Sequence, residues 1–240
     1  MEGSSFLIKA NIDSSRLTKK EIYREIRERI CLLDYAPGYR LNERKLALEF
    51  SISRTPMRDV LQRLEHDGLI ESKHGLGTLV TTIKLEKVRE IYLIRMRLAD
   101  AIGDLHPIFV SDDDLKMMRQ IETACVDLVE KPSKRQFAIV NIRYNSFLHN
   151  LPRNETVRKI NDNLFFQSAR FWFLLLDDLD FSEEAIKLME EVRMSRQVLE
   201  LGDIRLLASI HKTHLNDVLT RVNKIVEDYT RGSRKPLSSS

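Results

Sequence analysis

Arg54, Thr55 and Arg58 lie within five consecutive positions, just ahead of Val60, Leu61 and Leu64 at helical spacing. That pattern puts two guanidinium groups and a hydroxyl in the first turn or so of a helix. Each guanidinium is a planar fork that can pair bidentately with a guanine edge, at about 1–3 kcal/mol of discrimination per good pair. Thr55 can donate to a phosphate, and the amides at a helix start also favour an anion. Ser53 stands at the N-cap position, and Pro56 is tolerated because first-turn amides have no helical acceptor. Upstream, Arg44 and Lys45 are spaced for contacts to a phosphate backbone. Downstream, His74, Gly75 and Gly77 form the tip between two β-prone runs, where glycines allow close approach to a minor groove with Lys73 or His74 at its rim. A solvated helix face accounts for any one arginine alone. The ordered set points to double-stranded DNA.

A second polar set points inward rather than outward. Helical periodicity places Asn141 and Asn145 on one stripe with Phe137, Tyr144 and Leu148. It places His211 and His214 on another with Ile204, Leu207 and Val218, and Arg95 on a third with Val88, Tyr92 and Ala99. Buried polar groups need partners, and a buried arginine without one is especially costly. Either these side chains satisfy one another or water, or they line a cavity for a small anionic or polar metabolite. In the second case Arg95 is the carboxylate partner and Asn141, Asn145, His211 and His214 orient the rest.

The elements that must carry these residues follow from the breakers. The fold class read from the chain is mainly α: an N-terminal winged helix-turn-helix, then an all-helical bundle. A helix with Ile22, Ile26, Ile30 and Leu33 on one face ends at Pro37-Gly38. Residues 43–50 form a short helix and residues 54–66 a second, with the turn Ser51-Ile52-Ser53 between them. Residues 69–72 and 78–82 are the β-prone runs. Two helices at a short turn followed by a hairpin with a glycine tip is the plan of a winged helix-turn-helix. From Leu85 onward every segment reads as helix, about six or seven in all. The boundaries expected are a flexible arm at 1–17, the winged unit at 18–82, the helical unit at 83–230 and a disordered basic tail at 231–240, with residues 82–87 as the hinge.

Here a family resemblance becomes specific. The stretch Ala36-Pro-Gly-Tyr-Arg-Leu-Asn-Glu-Arg-Lys-Leu-Ala resembles the GntR family of bacterial transcription regulators. So do Ser51-Ile-Ser-Arg-Thr-Pro-Met-Arg-Asp-Val-Leu-Gln-Arg-Leu-Glu-His-Asp-Gly-Leu-Ile and the tip His74-Gly-Leu-Gly-Thr. The resemblance covers roughly residues 18–82. Ser51 departs from it, standing where the family usually has glycine. The helical part resembles the effector domain of the FadR subfamily, called FCD, through Arg95, Asn154 and Leu201-Gly202-Asp203. That domain typically holds a divalent metal on an aspartate and three histidines above a small carboxylate. The resemblance carries those four positions onto Asn141, Asn145, Val192 and His214. Only His214 is a strong ligand, so no metal is expected, although a four-residue slip would bring in His149.

The remaining readings are exclusions. The chain has 240 residues, 42% hydrophobic and 31% charged, with a net charge of +3, so it is not disordered as a whole, and charge alone proves no nucleic-acid partner. Its longest apolar run, residues 171–176, is far below the ~18 residues of a membrane span, and, apolar around the whole circumference of a helix, it reads as core before subunit interface. The first ten residues lack the apolar core of a secretory signal, and Cys31 and Cys125 match no zinc spacing, so a reducing cytoplasm is the default. An enzyme would rest on His211-x-x-His214 alone, and nothing calls for a cofactor. A DNA-binding protein whose helical part only dimerises stays an alternative. The leading expectation is a homodimeric repressor reading a palindromic operator, since one recognition helix reads too few base pairs, under control of a small, acidic metabolite.

Overall fold

The computed structural model of the chain describes residues 17–104, 110–152, 154–176 and 179–231. The expected arm and tail therefore lie outside the described residues, apart from Leu17 and Arg231. The chain divides into two compact units after Ile83.

In the first unit, α1 (Lys19–Cys31) starts in a capping box: the Thr18 side chain accepts from the Glu21 amide, and the Glu21 carboxylate takes the Thr18 N–H at 2.7 Å. Ile22, Ile26 and Ile30 are fully buried along one stripe, each worth about 1.5–3 kcal/mol of apolar burial. Leu33 does not continue that face, because the helix is capped at Leu32 and Leu33 turns to φ 64°. The Asn42 side chain caps α2 (Glu43–Glu49) by accepting from the Lys45 amide at 3.0 Å. α3 (Arg54–His66) buries Met57, Val60, Leu61 and Leu64 against α1 and α2, leaving its opposite face to solvent.

A three-stranded antiparallel sheet completes the unit, in the order β1-β3-β2. β2 (Ile70–Lys73) and β3 (Gly77–Val80) form the hairpin, with Lys73 opposite Gly77. β1 (Arg40–Leu41) pairs with the other edge of β3, Arg40 opposite Leu79. Two residues are too few to show an alternating pattern, which is why periodicity finds the hairpin and not this strand.

The second unit has six helices among the described residues: α4 (Leu85–Asp104), α5 (Asp112–Glu130), α6 (Lys134–Asn150), α7 (Glu155–Leu175), α8 (Phe181–Glu200) and α9 (Ile204–Thr230). Ser111, Ser133, Asn154 and Asp180 each cap the helix that follows by accepting from first-turn amides. α9 lies along α4, α5 along α8, and α7 packs on both α4 and α6. Phe171, Trp172, Phe173, Leu175 and Leu176 are buried within this unit. No helix among the described residues is long and apolar enough to cross a membrane.

Candidate functional site

The outer face of the first unit is built on the start of α3. Ser53 has the extended backbone of an N-cap, yet its hydroxyl makes no capping bond, in contrast to Thr18 and Asn42. No side chain therefore closes the first turn of α3, and the partial positive charge of the helix end faces outward. Arg54, Thr55 and Arg58 stand exposed around that end, with Arg44 and Lys45 exposed on α2. Among the described ion pairs Arg44, Lys45 and Arg54 have no carboxylate, whereas Arg58 Nη2 donates to Glu43 Oε1 at 3.2 Å. Ser51, in the turn between the two helices, takes φ 53°. This left-handed conformation costs an L-residue of this kind roughly 0.5–1 kcal/mol relative to glycine.

At the hairpin tip Gly75 and Gly77 take φ +77° and +84°, beside the exposed His74. A Cβ on Gly77 would lie 3.3 Å from Arg40 Nε, so the glycine leaves room for the Arg40 guanidinium on the wing. Sequence reasoning missed Arg40 because its place depends on β1.

In the second unit Arg95 is buried at 4% exposure on α4. Its Nη2 donates to Asn145 Oδ1 at 3.0 Å and its Nη1 to Ser168 Oγ at 3.4 Å. The guanidinium also lies 5.2 Å from the ring centroids of Tyr92 and of Phe165. Asn145 in turn donates to the Asn141 carbonyl and side-chain oxygens, at 3.0 and 3.3 Å. Burial pulls the Arg95 pKa down, with Tyr92 and Glu191 acting the other way. A small pocket opens beside this cluster; Arg95, Asn141, Asn145 and His214 line it together with Tyr92, Phe137, Trp172, Phe173, Glu184 and Lys187.

Close by, buried Glu191 of α8 gathers three polar side chains. Tyr144 O–H donates to Oε1 at 3.1 Å and meets the Ser195 hydroxyl at 2.7 Å. His211 Nδ1 lies 3.3 Å from Oε1, and His214 Nδ1 lies 3.0 Å from Oε2. Burial pushes the Glu191 carboxyl up, opposed by His214, Tyr144 and Arg95. Burial also drives His211 down to about 3, with Arg95 adding to it, and lowers His214. At neutral pH both imidazoles are therefore uncharged, so neither forms an ion pair with Glu191. His211 faces Glu191 and does not line the pocket. Tyr144 lies on the inward stripe that periodicity gives it; Glu191, Ser168 and Ser195 are additions from the structure, although Glu191 and Ser195 share the apolar stripe of Leu188, Val192 and Leu199.

The residues at the four carried-over metal positions do not fit a divalent ion. Val192 is fully buried hydrocarbon, and the Asn145 oxygen is taken by the Arg95 guanidinium, so an ion there would meet a fixed positive charge in a low-dielectric site. His149 packs edge-on against Phe165, ring centroids 5.7 Å apart, and does not line the pocket.

Residues 18–80 match the family described as bacterial regulatory proteins, gntR family. The chain is 27% identical over 156 residues to the HTH-type transcriptional regulator YdhC of Bacillus subtilis, covering 61% of this chain and 67% of that one. It is 24% identical over 211 residues to the Nta operon transcriptional regulator of Aminobacter aminovorans, covering 84% and 95%. A solved GntR regulator from a Rhodococcus species shares the fold, with a TM-score of 0.67 at 17% identity over 86% of this chain and 97% of that one. Escherichia coli McbR/YncC does so with a TM-score of 0.67 at 15% identity, over 87% and 98%.

Proposed function

We propose that, with a GntR-family winged helix-turn-helix as its first unit, this bacterial transcription regulator is a cytoplasmic repressor that binds a palindromic operator as a homodimer and is controlled by a small carboxylate. The observation that carries the DNA reading is the start of α3, where an open first turn is ringed by Arg54, Thr55 and Arg58. Arg54 and Arg58 read base edges, while Ser53, Thr55, Arg44 and Lys45 hold phosphates. His74, Gly75 and Gly77 bring the wing to the minor groove. The turn at Ser51 sets the entry of α3, and Arg40, seated over Gly77, adds a cation to the same wing.

The control reading is supported by Arg95. A buried guanidinium with only neutral direct partners beside an open pocket has unsatisfied electrostatic capacity, and a carboxylate answers it. Asn141, Asn145 and His214 orient the ligand, while His211 and Glu191 hold His214. The helical unit is then FCD-like in its role without that domain's metal. Effector occupancy changes operator affinity by a coupling of about 1–3 kcal/mol.

The test is in two parts. Selection of bound DNA from a random duplex library by the full chain should return an inverted repeat, and the Arg54→Ala variant should lose it; enrichment of no sequence would refute the operator reading. A thermal-shift panel of small carboxylates should then find at least one that raises the melting temperature. If none does while the operator is still bound, the helical unit serves dimerisation alone.

A further inference from the structure

Among the described ion pairs, Arg58 meets a carboxylate where Arg44, Lys45 and Arg54 do not. That carboxylate is Glu43, the first residue of α2, directly after the Asn42 cap. Its charge suits a helix start, where the free backbone amides are partly positive. Arg58 Nε donates to Glu43 Oε2 at 3.4 Å, and Nη2 donates to Oε1 at 3.2 Å. Both carboxylate oxygens therefore lie along one edge of the guanidinium. The Glu43 side chain is 30% exposed against 63% for Arg58, so the acid is the anchored end of the pair. A guanidinium holds five N–H donors in one plane. With the Nε–Nη2 edge taken, the Nη1–Nη2 edge is the fork left for a bidentate pair, and α2 sets its direction. A surface ion pair of this kind adds little to stability. A carboxylate on a face that meets phosphate also repels DNA of every sequence. That general loss of affinity is offset only by discrimination.

We propose that Glu43 is a positioning residue for operator recognition: it fixes which edge of Arg58 meets the base pair that Arg58 reads, and it weakens binding to all other DNA. This rests on the operator reading above and adds the residue that gives Arg58 its direction.

The test uses the full chain with three kinds of duplex, read by fluorescence anisotropy: the inverted repeat returned by selection, that repeat with each base pair changed in turn in both halves, and a scrambled sequence. Arg58→Ala marks the base pair read by Arg58, as the position where a change no longer weakens binding. Wild-type protein should bind the repeat changed at that pair about tenfold or more weakly. In Glu43→Gln this penalty should fall below about threefold, while scrambled duplex binds roughly threefold tighter. Glu43→Asp keeps the charge but ends one methylene short of Arg58, so it should lose the discrimination without gaining on scrambled duplex. Penalties at the other base pairs should stay as in the wild type, which a distorted α2 would not allow. In an Arg58→Ala background Glu43→Gln should alter the penalty at no base pair. An unchanged penalty at the Arg58 pair in Glu43→Gln, or scrambled duplex bound no tighter, overturns the proposal and leaves the operator reading standing. So does a loss at a different base pair, which would make Glu43 itself a reader, or a loss spread evenly over all of them. An Arg58→Ala variant that keeps every penalty overturns it too, because Arg58 then reads no base. Selection that returns no repeat overturns both readings.

Discussion

Arg54 and Arg95 carry the same charge in opposite surroundings, and the contrast separates the work of the two units. Arg54 stands in solvent at an open helix start with no carboxylate among its described contacts. There its charge costs the fold almost nothing and is screened until a polyanion arrives. Arg95 is buried, held by an amide, a hydroxyl and two ring faces. Its charge has been taken from water and is only partly repaid. An exposed cation makes a surface ready to bind without affecting stability; a buried one makes stability itself respond to a ligand.

Four outcomes would break or sharpen that contrast. The largest is expected at Arg95: Arg95→Met should leave the ligand-free protein no less stable, since a well-packed apolar side chain often replaces a buried charge at little or no cost. The same variant should lose the whole ligand-induced stabilisation, about 2.7 kcal/mol at a hundredfold excess over Kd. Unfolding curves with and without a carboxylate found by the thermal-shift panel check this, and a less stable ligand-free variant would show that the charge is already fully satisfied. Next, Arg54→Ala should weaken operator binding by about 1–3 kcal/mol while its unfolding midpoint stays within the usual surface range of ~0.5 kcal/mol. Anisotropy titration and thermal melts read the two sides of that statement.

The third outcome is a pH dependence of the second unit. His211 titrates near 6.5 when unfolded and near 3 when folded. Below pH 6.5 the unfolded chain therefore binds a proton that the folded chain refuses. Stability then falls on acidification toward pH 3, by up to about 1.4 kcal/mol per pH unit for this group. Glu191, whose carboxyl burial pushes up, opposes part of the loss because the folded protein protonates it more readily. His211→Asn should flatten the acid limb in denaturant titrations, and an unchanged limb would mean that His211 is charged when folded. The smallest effect is at the turn before α3, where Ser51→Gly should stabilise the protein by roughly 0.5–1 kcal/mol, relieving the φ of 53°. Equal or lower stability would mean that the unfolded-state entropy of glycine outweighs the strain relieved.

The two units were legible to different depths. In the first, local chemistry dictates local structure: caps, the Pro37-Gly38 turn and short-range periodicity mark α2 and α3, which the structure has at Glu43–Glu49 and Arg54–His66. In the second, periodicity shows which residues turn inward but not which of them meet. Asn145 faces Arg95 across 50 positions of chain, and Tyr144 faces Glu191 across 47. Such pairings are set by helix packing, which no window of sequence contains. Glu191 shows the cost: beside Val192 on an otherwise apolar stripe, it has no partner that the sequence makes visible. Arg40 shows another kind of loss, a side chain placed by a strand of two residues.

The central position of β3 has a consequence for the thermodynamics of recognition. Both of its edges are hydrogen-bonded, to β1 on one side and β2 on the other, so the wing tip is a short loop on a braced base. A tip already ordered before it meets DNA sacrifices little conformational freedom on docking. The wing's share of binding should therefore carry only a small entropic penalty. On the proposed minor-groove reading it forgoes adaptability in exchange: a braced tip would discriminate among groove widths and would not mould itself to them.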